Sequence, residues 1–337
     1  GAPVEPVARA HAERGDYGSG DINELVQQRL DGITNNEGGE IEVTLGDGSR
    51  IISMRKSPIE GGGAVVTVTD ITERKQAEHK LADAYDVISS SIDYAANIQQ
   101  AILPSEDILN AVLTDHFVVW EPRDTVGGDL YLCRVWGDGF LIMLGDCTGH
   151  GVPGAFMTMI STGALDNALT DTVSGETGVL LQRLHQVVRS TLGQNEADSI
   201  SDDGMELGLC YVGSDMQSVV FSGAKFDLFI HEGDEISVIK GTKKAIGYRN
   251  VPKGQEYDQH VIDGLSSKTF YMTSDGLIDQ VGGERKRGFG KKRFRQLLLD
   301  IQEMPMSKQG EHIYQSLEFY QGDQKRRDDI AVIGFKI

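Results

Sequence analysis

From residue 105 to the C-terminus the chain is a succession of short apolar runs cut by glycine and aspartate. They are HFVVWEP, DLYLCRVW, GFLIMLGDC, ELGLCYVG, SVVFSGA, DLFIHEG, EISVIKG, TFYMTSDG and DIAVIGFKI. Runs of this length are strands, and turns built on Gly and Asp return the chain at once, which joins neighbours antiparallel. A parallel sheet would need a crossover of a dozen or more residues between each pair. Helical runs are confined to GAFMTMISTGALDNALTD, TGVLLQRLHQVVRSTLG, KKRFRQLLLDIQ and KQGEHIYQSLEFYQ. Strands and helices alternate only in part, so the expected class is a layered α+β domain rather than a doubly wound one.

Upstream, ERKQAEHKLADAYDVISSSIDYAANIQQAIL has no Gly or Pro until Pro104 and predicts one long helix. Within it Leu81, Tyr85, Ile88, Ile92, Ala95, Gln99 and Ile102 recur at alternating spacings of 4 and 3. That is the seam of a dimeric coiled coil; it also suits an amphipathic helix lying on its own domain. Before it, GEIEVTLGDGSRIISMRKSPI holds two alternating runs joined through Gly46-Asp47-Gly48, a hairpin signal, and GGGAVVTVTDIT adds a β-branched strand. The first sixteen residues read as a polar leader. The expected organisation is therefore a small β-rich segment over 1–72, a helical linker over 73–104 and the main domain over 105–337.

The net charge is −19. A chain so acidic is repelled by phosphate backbones, which argues against a nucleic-acid partner. No apolar run approaches the roughly 20 residues of a bilayer span, and no signal-peptide pattern opens the chain. Cys133, Cys147 and Cys210 are too widely spaced for a disulfide frame or a zinc knuckle. Reduced core thiols in a cytoplasmic protein are expected. No Walker A loop, GxSxG elbow or zincin motif is present.

Acids instead gather at strand ends beside glycines. VGGD places Asp129 at the start of a strand, LGDCTGHG places Asp146 at the end of one, and YMTSDG does the same for Asp275. KRRDDIAV sets Asp328 and Asp329 just before the last strand. Each alone reads as a turn residue. As a set, held on rigid strand ends, they can be aimed at one point, where their mutual repulsion calls for a cation. Oxygen donors with no His or Cys ligand pattern favour Mg²⁺ or Mn²⁺ over Zn²⁺.

The ordered series EPRDTVGGDLY, LGDCTGHGVPGAFMTM, TSDGLID and RRDDIAVIGF resembles the motifs of metal-dependent serine/threonine protein phosphatases of the PPM (PP2C-like) family, in the bacterial SpoIIE/RsbU-like branch. The resemblance covers about 230 residues in the family's motif order. It implies an α-β-β-α sandwich of two antiparallel sheets with a dinuclear Mn²⁺/Mg²⁺ site. Asp146 would bridge both ions; Asp129 and the backbone carbonyl of Cys147 would serve one, Asp275 and Asp328 the other. Asp129 and Asp146 would thus carry catalysis, with Asp329 in support. It further implies hydrolysis of phosphoserine or phosphothreonine by a metal-activated water, with a phosphorylated STAS-type protein of a partner-switching pathway as substrate.

Arg123 is a candidate contact for the substrate phosphate, or a surface ion-pair residue. His150 is a candidate proton carrier or a loop-shaping residue. The basic island RKRGFGKKRFR is either a receptor for an acidic protein surface or a solvated helix start. The acidic stretch SISDDGMELG could add a metal contact. A pseudophosphatase that signals by binding, and a hydrolase of small phosphoesters, are the alternative functions. Upstream, DGSRIISMRKSPIEGGGAVVTVTDITERKQAE resembles the last strands of a PAS sensory domain, which implies a partial sensor over 1–72 acting through the linker. Leu81, Tyr85, Ile88, Ile92 and Ile102 are its candidate homodimer seam.

Overall fold

The computed structural model describes residues 4–34, 39–45, 48–59, 64–196 and 198–337. Gly46 and Asp47 of the expected hairpin turn lie outside them. The chain divides into two compact units, residues 1–90 and 91–337.

The first unit corrects the polar leader. Val4–Glu13 is a helix (α1), followed by α2 (Ile22–Thr34). Asp21 starts α2: its Oδ1 accepts the backbone N–H groups of Asn23 at 2.9 Å and Glu24 at 3.2 Å, satisfying orphan donors of the first turn. Ala8, Ala12 and Val26 are buried together, with Tyr17, Leu25 and Leu30 against them. The small apolar stripe that made this segment look polar is enough for a helix pair. Strands β1 (Gly39–Thr44), β2 (Ile51–Pro58) and β3 (Ala64–Asp70) form an antiparallel sheet in chain order.

The DIT triplet at the end of β3 starts the long helix α3 (Thr72–Ile102). Asp70 Oδ1 accepts the Thr72 N–H at 3.0 Å and its hydroxyl at 2.6 Å, and Arg50 pairs with Oδ2 at 2.9 Å. These bonds, those of Thr72 first, hold the exposed Asp70 carboxyl down at about 2.

The second unit continues through α4 (Glu106–Val112), β4 (Asp115–Glu121), β5 (Asp129–Trp136) and β6 (Gly139–Cys147) to the helix pair α5 (Gly151–Thr170) and α6 (Thr177–Thr191). Then follow β7 (Met205–Val212), β8 (Ser218–Ala224), β9 (Leu228–Glu232), β10 (Glu235–Ile239), β11 (His260–Asp263) and β12 (Lys268–Thr273). The short helix α7 (Asp275–Asp279) and the small ribbon β13 (Val281–Gly282) and β14 (Arg287–Gly288) lead to α8 (Gly290–Asp300), α9 (Met306–Gln321) and β15 (Ile330–Lys336). One five-stranded sheet has the order β10-β9-β12-β15-β4, the other β11-β8-β7-β6-β5. Every strand pairing in them is antiparallel, as the Gly/Asp punctuation predicts.

Three apolar layers make this an α-β-β-α sandwich. Alternate residues of β6 and β7 point to opposite faces. Leu141, Met143, Leu207 and Leu209 pack under α5 and α6 with Leu165, Leu181 and Leu184. Ile142, Leu144, Cys210 and Val212 meet Phe270, Met272, Ile333 and Phe335 of the other sheet. On that sheet's outer face Phe229, Tyr271 and Val332 pack on Phe294, Leu298, Ile313 and Leu317 of α8 and α9.

The last turns of α3 belong to this unit. Ile102 packs against the layer under α5 and α6, so it serves its own domain rather than an outward seam. Gln99, also a seam position, is buried: its Nε2 donates to the Gly127 carbonyl at 2.7 Å and to Thr158 Oγ1 at 3.0 Å, and its Oε1 accepts the Gly127 N–H at 3.2 Å. A buried amide on such a surface is stable only because each end is paired. Replacing Gln99 by Leu keeps the volume but strands the amide of Gly127. We expect a loss of about 1–3 kcal/mol, measured as a lower urea midpoint of the transition that unfolds the α5/α6 layer.

Candidate metal centre

Antiparallel register brings the acids together. Asp129 opens β5 directly opposite Asp146 near the end of β6, and β7 sets Glu206 opposite Asp146 on its other side. The second sheet presents its acids at the ends of two adjacent strands. Asp275 follows β12 as the first residue of α7, and Asp328 precedes β15. Asp275 and Asp146 are in side-chain hydrogen-bond contact. Ser274 joins the two sheets: its Oγ donates to Asp129 Oδ2 at 2.6 Å and accepts the Ala331 N–H at 3.0 Å.

The electrostatics follow from that crowding. Asp129 is 2 % exposed. Burial pushes its carboxyl well above the usual carboxylate range, and Asp329, Asp328 and Asp275 add to the push against the Ser274 bond. Asp146 is raised by burial and then by Asp129, Asp275, Asp328 and Glu206. Asp275 is raised by burial and by Asp328. Such groups hold protons unless positive charge is supplied.

Glycines allow the close approach. A Cβ on Gly127 would lie 2.8 Å from the Asp329 carboxylate, and one on Gly128 would lie 2.9 Å from the Cys147 carbonyl oxygen. Asp329 itself is buried and fully engaged: Oδ2 accepts the Gly128 N–H at 2.6 Å and Oδ1 the Arg123 N–H at 2.7 Å. It ties the loop before β5 to the loop before β15. The Cys147 thiol is buried 3.5 Å from Ser161 Oγ, and burial drives it up, away from thiolate character.

Arg123 donates from its guanidinium to the Arg327 carbonyl at 3.1 Å and pairs with Asp124 at 3.2 Å, at the edge of the centre. His150 is exposed, with Nδ1 3.2 Å from Asp124 Oδ2, and stands at the start of α5 between Gly149 (φ 84°) and Gly151 (φ 62°). In the basic island, Lys291 pairs with Asp227 at 2.7 Å, Arg293 lies over the Tyr320 ring, and Arg295 donates to the Ile236 carbonyl at 2.9 Å. Those three hold α8 in place. In the acidic stretch Asp202 accepts the Arg249 N–H at 2.8 Å, while Glu206 alone reaches the acid cluster.

Sequence reasoning missed Ser274 and Gln99 as parts of this neighbourhood, and it reached Glu206 only as one of several acids in the stretch expected to add a metal contact. Ser274 precedes a recognised acid and was legible as a helix-start residue. Glu206 and Gln99 depend on strand register and helix docking, which leave no local signature.

As a donor set the acids fit hard divalent cations: all oxygen, clustered, and short of compensating positive charge. Among the described residues, no group of three or more His, Cys, Asp or Glu side chains is already closed around a metal-sized point. The carboxylates are gathered at one end of the sandwich without being drawn into a tight ligand shell.

Comparison with known proteins agrees with the fold. The family profile described as Stage II sporulation protein E (SpoIIE) matches residues 137–337, and a PAS fold profile matches residues 1–79. The PAS match takes in α1 and α2 as well as the three strands. The SiaA-PP2C domain of Pseudomonas aeruginosa is 39 % identical, with a TM-score of 0.68, over 76 % of this chain and 99 % of that one. A structure of the PP2C phosphatase domain and a fragment of the regulatory domain of SpoIIE from Bacillus subtilis is 13 % identical over 95 % of this chain and 75 % of that one, TM-score 0.51. A crystal structure of a bacterial serine phosphatase bearing a point mutation is 16 % identical over 67 % of this chain and 98 % of that one, TM-score 0.50. These last two share the fold. A comparison with curated protein sequences returned no significant match.

The sandwich is that of a PP2C-like phosphatase domain, preceded by a PAS-type segment. The chain belongs to the SpoIIE family of PP2C-like serine/threonine phosphatases.

The bonds of Asp329 make a direct test of the frame around the centre. An Asn at 329 can turn only one oxygen to the two N–H groups and must face one of them with its own NH₂. Asp329→Asn is expected to cost about 1–3 kcal/mol, read by chemical denaturation, and to lower phosphatase turnover with it.

Proposed function

We propose that this chain is a Mn²⁺- or Mg²⁺-dependent protein phosphatase acting on phosphoserine and phosphothreonine. The observation that carries the reading is the register pair Asp129–Asp146, with Asp275 in contact, in a cluster whose members raise one another for want of positive charge. Asp146 would be shared by two cations. Asp129 and the Cys147 carbonyl would hold one, and Asp275 and Asp328 the other. Bound there, the cations would supply Lewis-acid activation of an attacking water and charge neutralisation at the phosphoryl oxygens.

The chain's own residues do the positioning. Ser274 fixes the rotamer of Asp129, and Asp329 fixes the Gly127-Gly128 backbone from which Asp129 projects. Arg123 is placed at the rim where its guanidinium could turn to a phosphate oxygen. Family membership supports a phosphorylated STAS-type protein of a partner switch as the substrate. The three cysteines are free and buried, which supports a reducing, cytoplasmic setting. No described helix is long and apolar enough to cross a membrane.

Asp146→Asn removes the charge that both ions would share. Turnover of p-nitrophenyl phosphate in Mn²⁺ is expected to fall by about a hundred- to a thousandfold, in the range of lost electrostatic stabilisation. Turnover that needs no metal, or full activity in the variant, would overturn the mechanism.

Control through the linker is the second part of the reading. Leu81, Tyr85 and Ile88 are 72 %, 69 % and 59 % exposed on α3, and with the half-buried Ile92 they form an apolar stripe suited to a second copy of the helix. Leu81→Glu/Ile88→Glu is expected to halve the mass seen by light scattering and to change the phosphatase rate. An unchanged mass would count against the seam.

A further inference from the structure

A second, oppositely charged feature adjoins the acid cluster. Lys225, Lys243, Lys244, Tyr248 and Asn250 line a pocket of about 340 Å³ in a chain whose net charge is −19. None of the candidate ligands Asp129, Asp146, Cys147, Asp275 or Asp328 lines it, so a group held there is separate from the phosphoryl group held by the centre.

The pocket is bonded to the centre at two points. The Tyr248 hydroxyl is 2.8 Å from Thr148 Oγ1, two residues after Asp146. Lys225 Nζ donates to Glu206, the residue across the ladder from Asp146. Lys225 is also held in a costly backbone conformation, with φ 55° in the left-handed region that non-glycine residues avoid. That turn is pinned by the Lys225 N–H donating to the Thr242 carbonyl at 2.7 Å and by the Thr242 N–H donating to the Gly223 carbonyl at 2.8 Å. The same bonds place Lys243 and Lys244 beside Lys225. Both are exposed, and among the described residues neither has a carboxylate within ion-pair distance.

We infer that this pocket is a substrate subsite that takes acidic side chains flanking the phosphorylated residue of the protein substrate. The inference rests on the phosphatase reading and narrows its substrate class. An acidic phosphoprotein approaching so acidic a chain is repelled at long range. Three ammonium groups in a pocket bonded to the centre through Thr148 and Glu206 reverse that field locally and fix the direction in which the segment lies. Lys225 is already half-neutralised by Glu206, so the open capacity resides in Lys243 and Lys244.

The test pairs two phosphoserine peptides, one flanked by Glu and one by Gln, with wild type, Lys243→Glu/Lys244→Glu and Lys243→Arg/Lys244→Arg. Phosphate release in Mn²⁺ gives kcat/KM for each. Fluorescence anisotropy gives the affinity of each peptide for the same three proteins carrying Asp146→Asn, where turnover is strongly slowed. The charge reversal is expected to lower the preference for the acidic peptide by about five- to tenfold, the scale of two or three exposed ion pairs. The Arg variant should retain the preference, and wild-type preference should shrink as salt shortens the screening length. An unchanged preference in the Glu variant, by kinetics and by anisotropy, would overturn the subsite. Absence of metal-dependent turnover of p-nitrophenyl phosphate by wild type would instead overturn the phosphatase reading, and anisotropy alone would then decide the pocket.

Discussion

Repulsion among buried carboxylates is the constraint on which the rest of the second unit depends. Asp129 and Asp146 stand opposite one another because β5 and β6 pair in one register. A slip of one residue would send one acid into the layer under α5 and α6, where nothing could solvate it. The glycines at 127 and 128, the Asp329 carboxylate and the Ser274 hydroxyl all keep the acids close despite their charge. They are stabilising contacts spent on an arrangement that is unfavourable without cations. Sites that must act on phosphate commonly have this character, since the field that attracts a metal is the one that destabilises the empty fold.

Much of this architecture was legible in the sequence, for identifiable reasons. Short apolar runs cut by Gly and Asp leave few alternatives to antiparallel sheets, and the burial of Ile142 and Leu144 on one face against Leu141 and Met143 on the other follows from strand alternation. Asp129, Asp146 and Asp275 were legible because each sits beside a glycine at or near a strand end, Asp328 and Asp329 because they stand just before the last strand. What escaped was whatever depends on tertiary register. Glu206 was legible as the start of a strand, yet its place opposite Asp146 is set by the β6–β7 ladder. Gln99 fitted a heptad, and the heptad could not say that its last turns meet Gly127 and Thr158 rather than a second helix. The helix pair α1–α2 escaped because its core is made of alanines and one valine, a stripe too slight to stand out from a charged background.

The linker helix shows how one periodic pattern can serve two surfaces. Over its last turns the pattern is satisfied within the catalytic unit by Gln99 and Ile102. Over its earlier turns Leu81, Tyr85 and Ile88 are exposed. An apolar residue left in water forgoes roughly 1.5–3 kcal/mol relative to burial, so this part of the pattern is unsatisfied within the chain. Because the helix is continuous, a rotation or shift imposed on its exposed part must be borne by the Gln99 contacts or must break them.

Those contacts reach the centre in few steps. Gln99 holds both the amide and the carbonyl of Gly127; the next amide, that of Gly128, is held by Asp329; and Gly128 precedes Asp129. A displacement of Gln99 therefore acts on the backbone between two fixed points, one on the linker and one on an acid of the last motif. There is little slack there, since a Cβ on Gly127 would already lie 2.8 Å from the Asp329 carboxylate. A loop so tightly packed changes by switching between arrangements rather than by stretching. The tightest constraint between α3 and Asp129 thus lies in the bare pair of glycines at the foot of the helix.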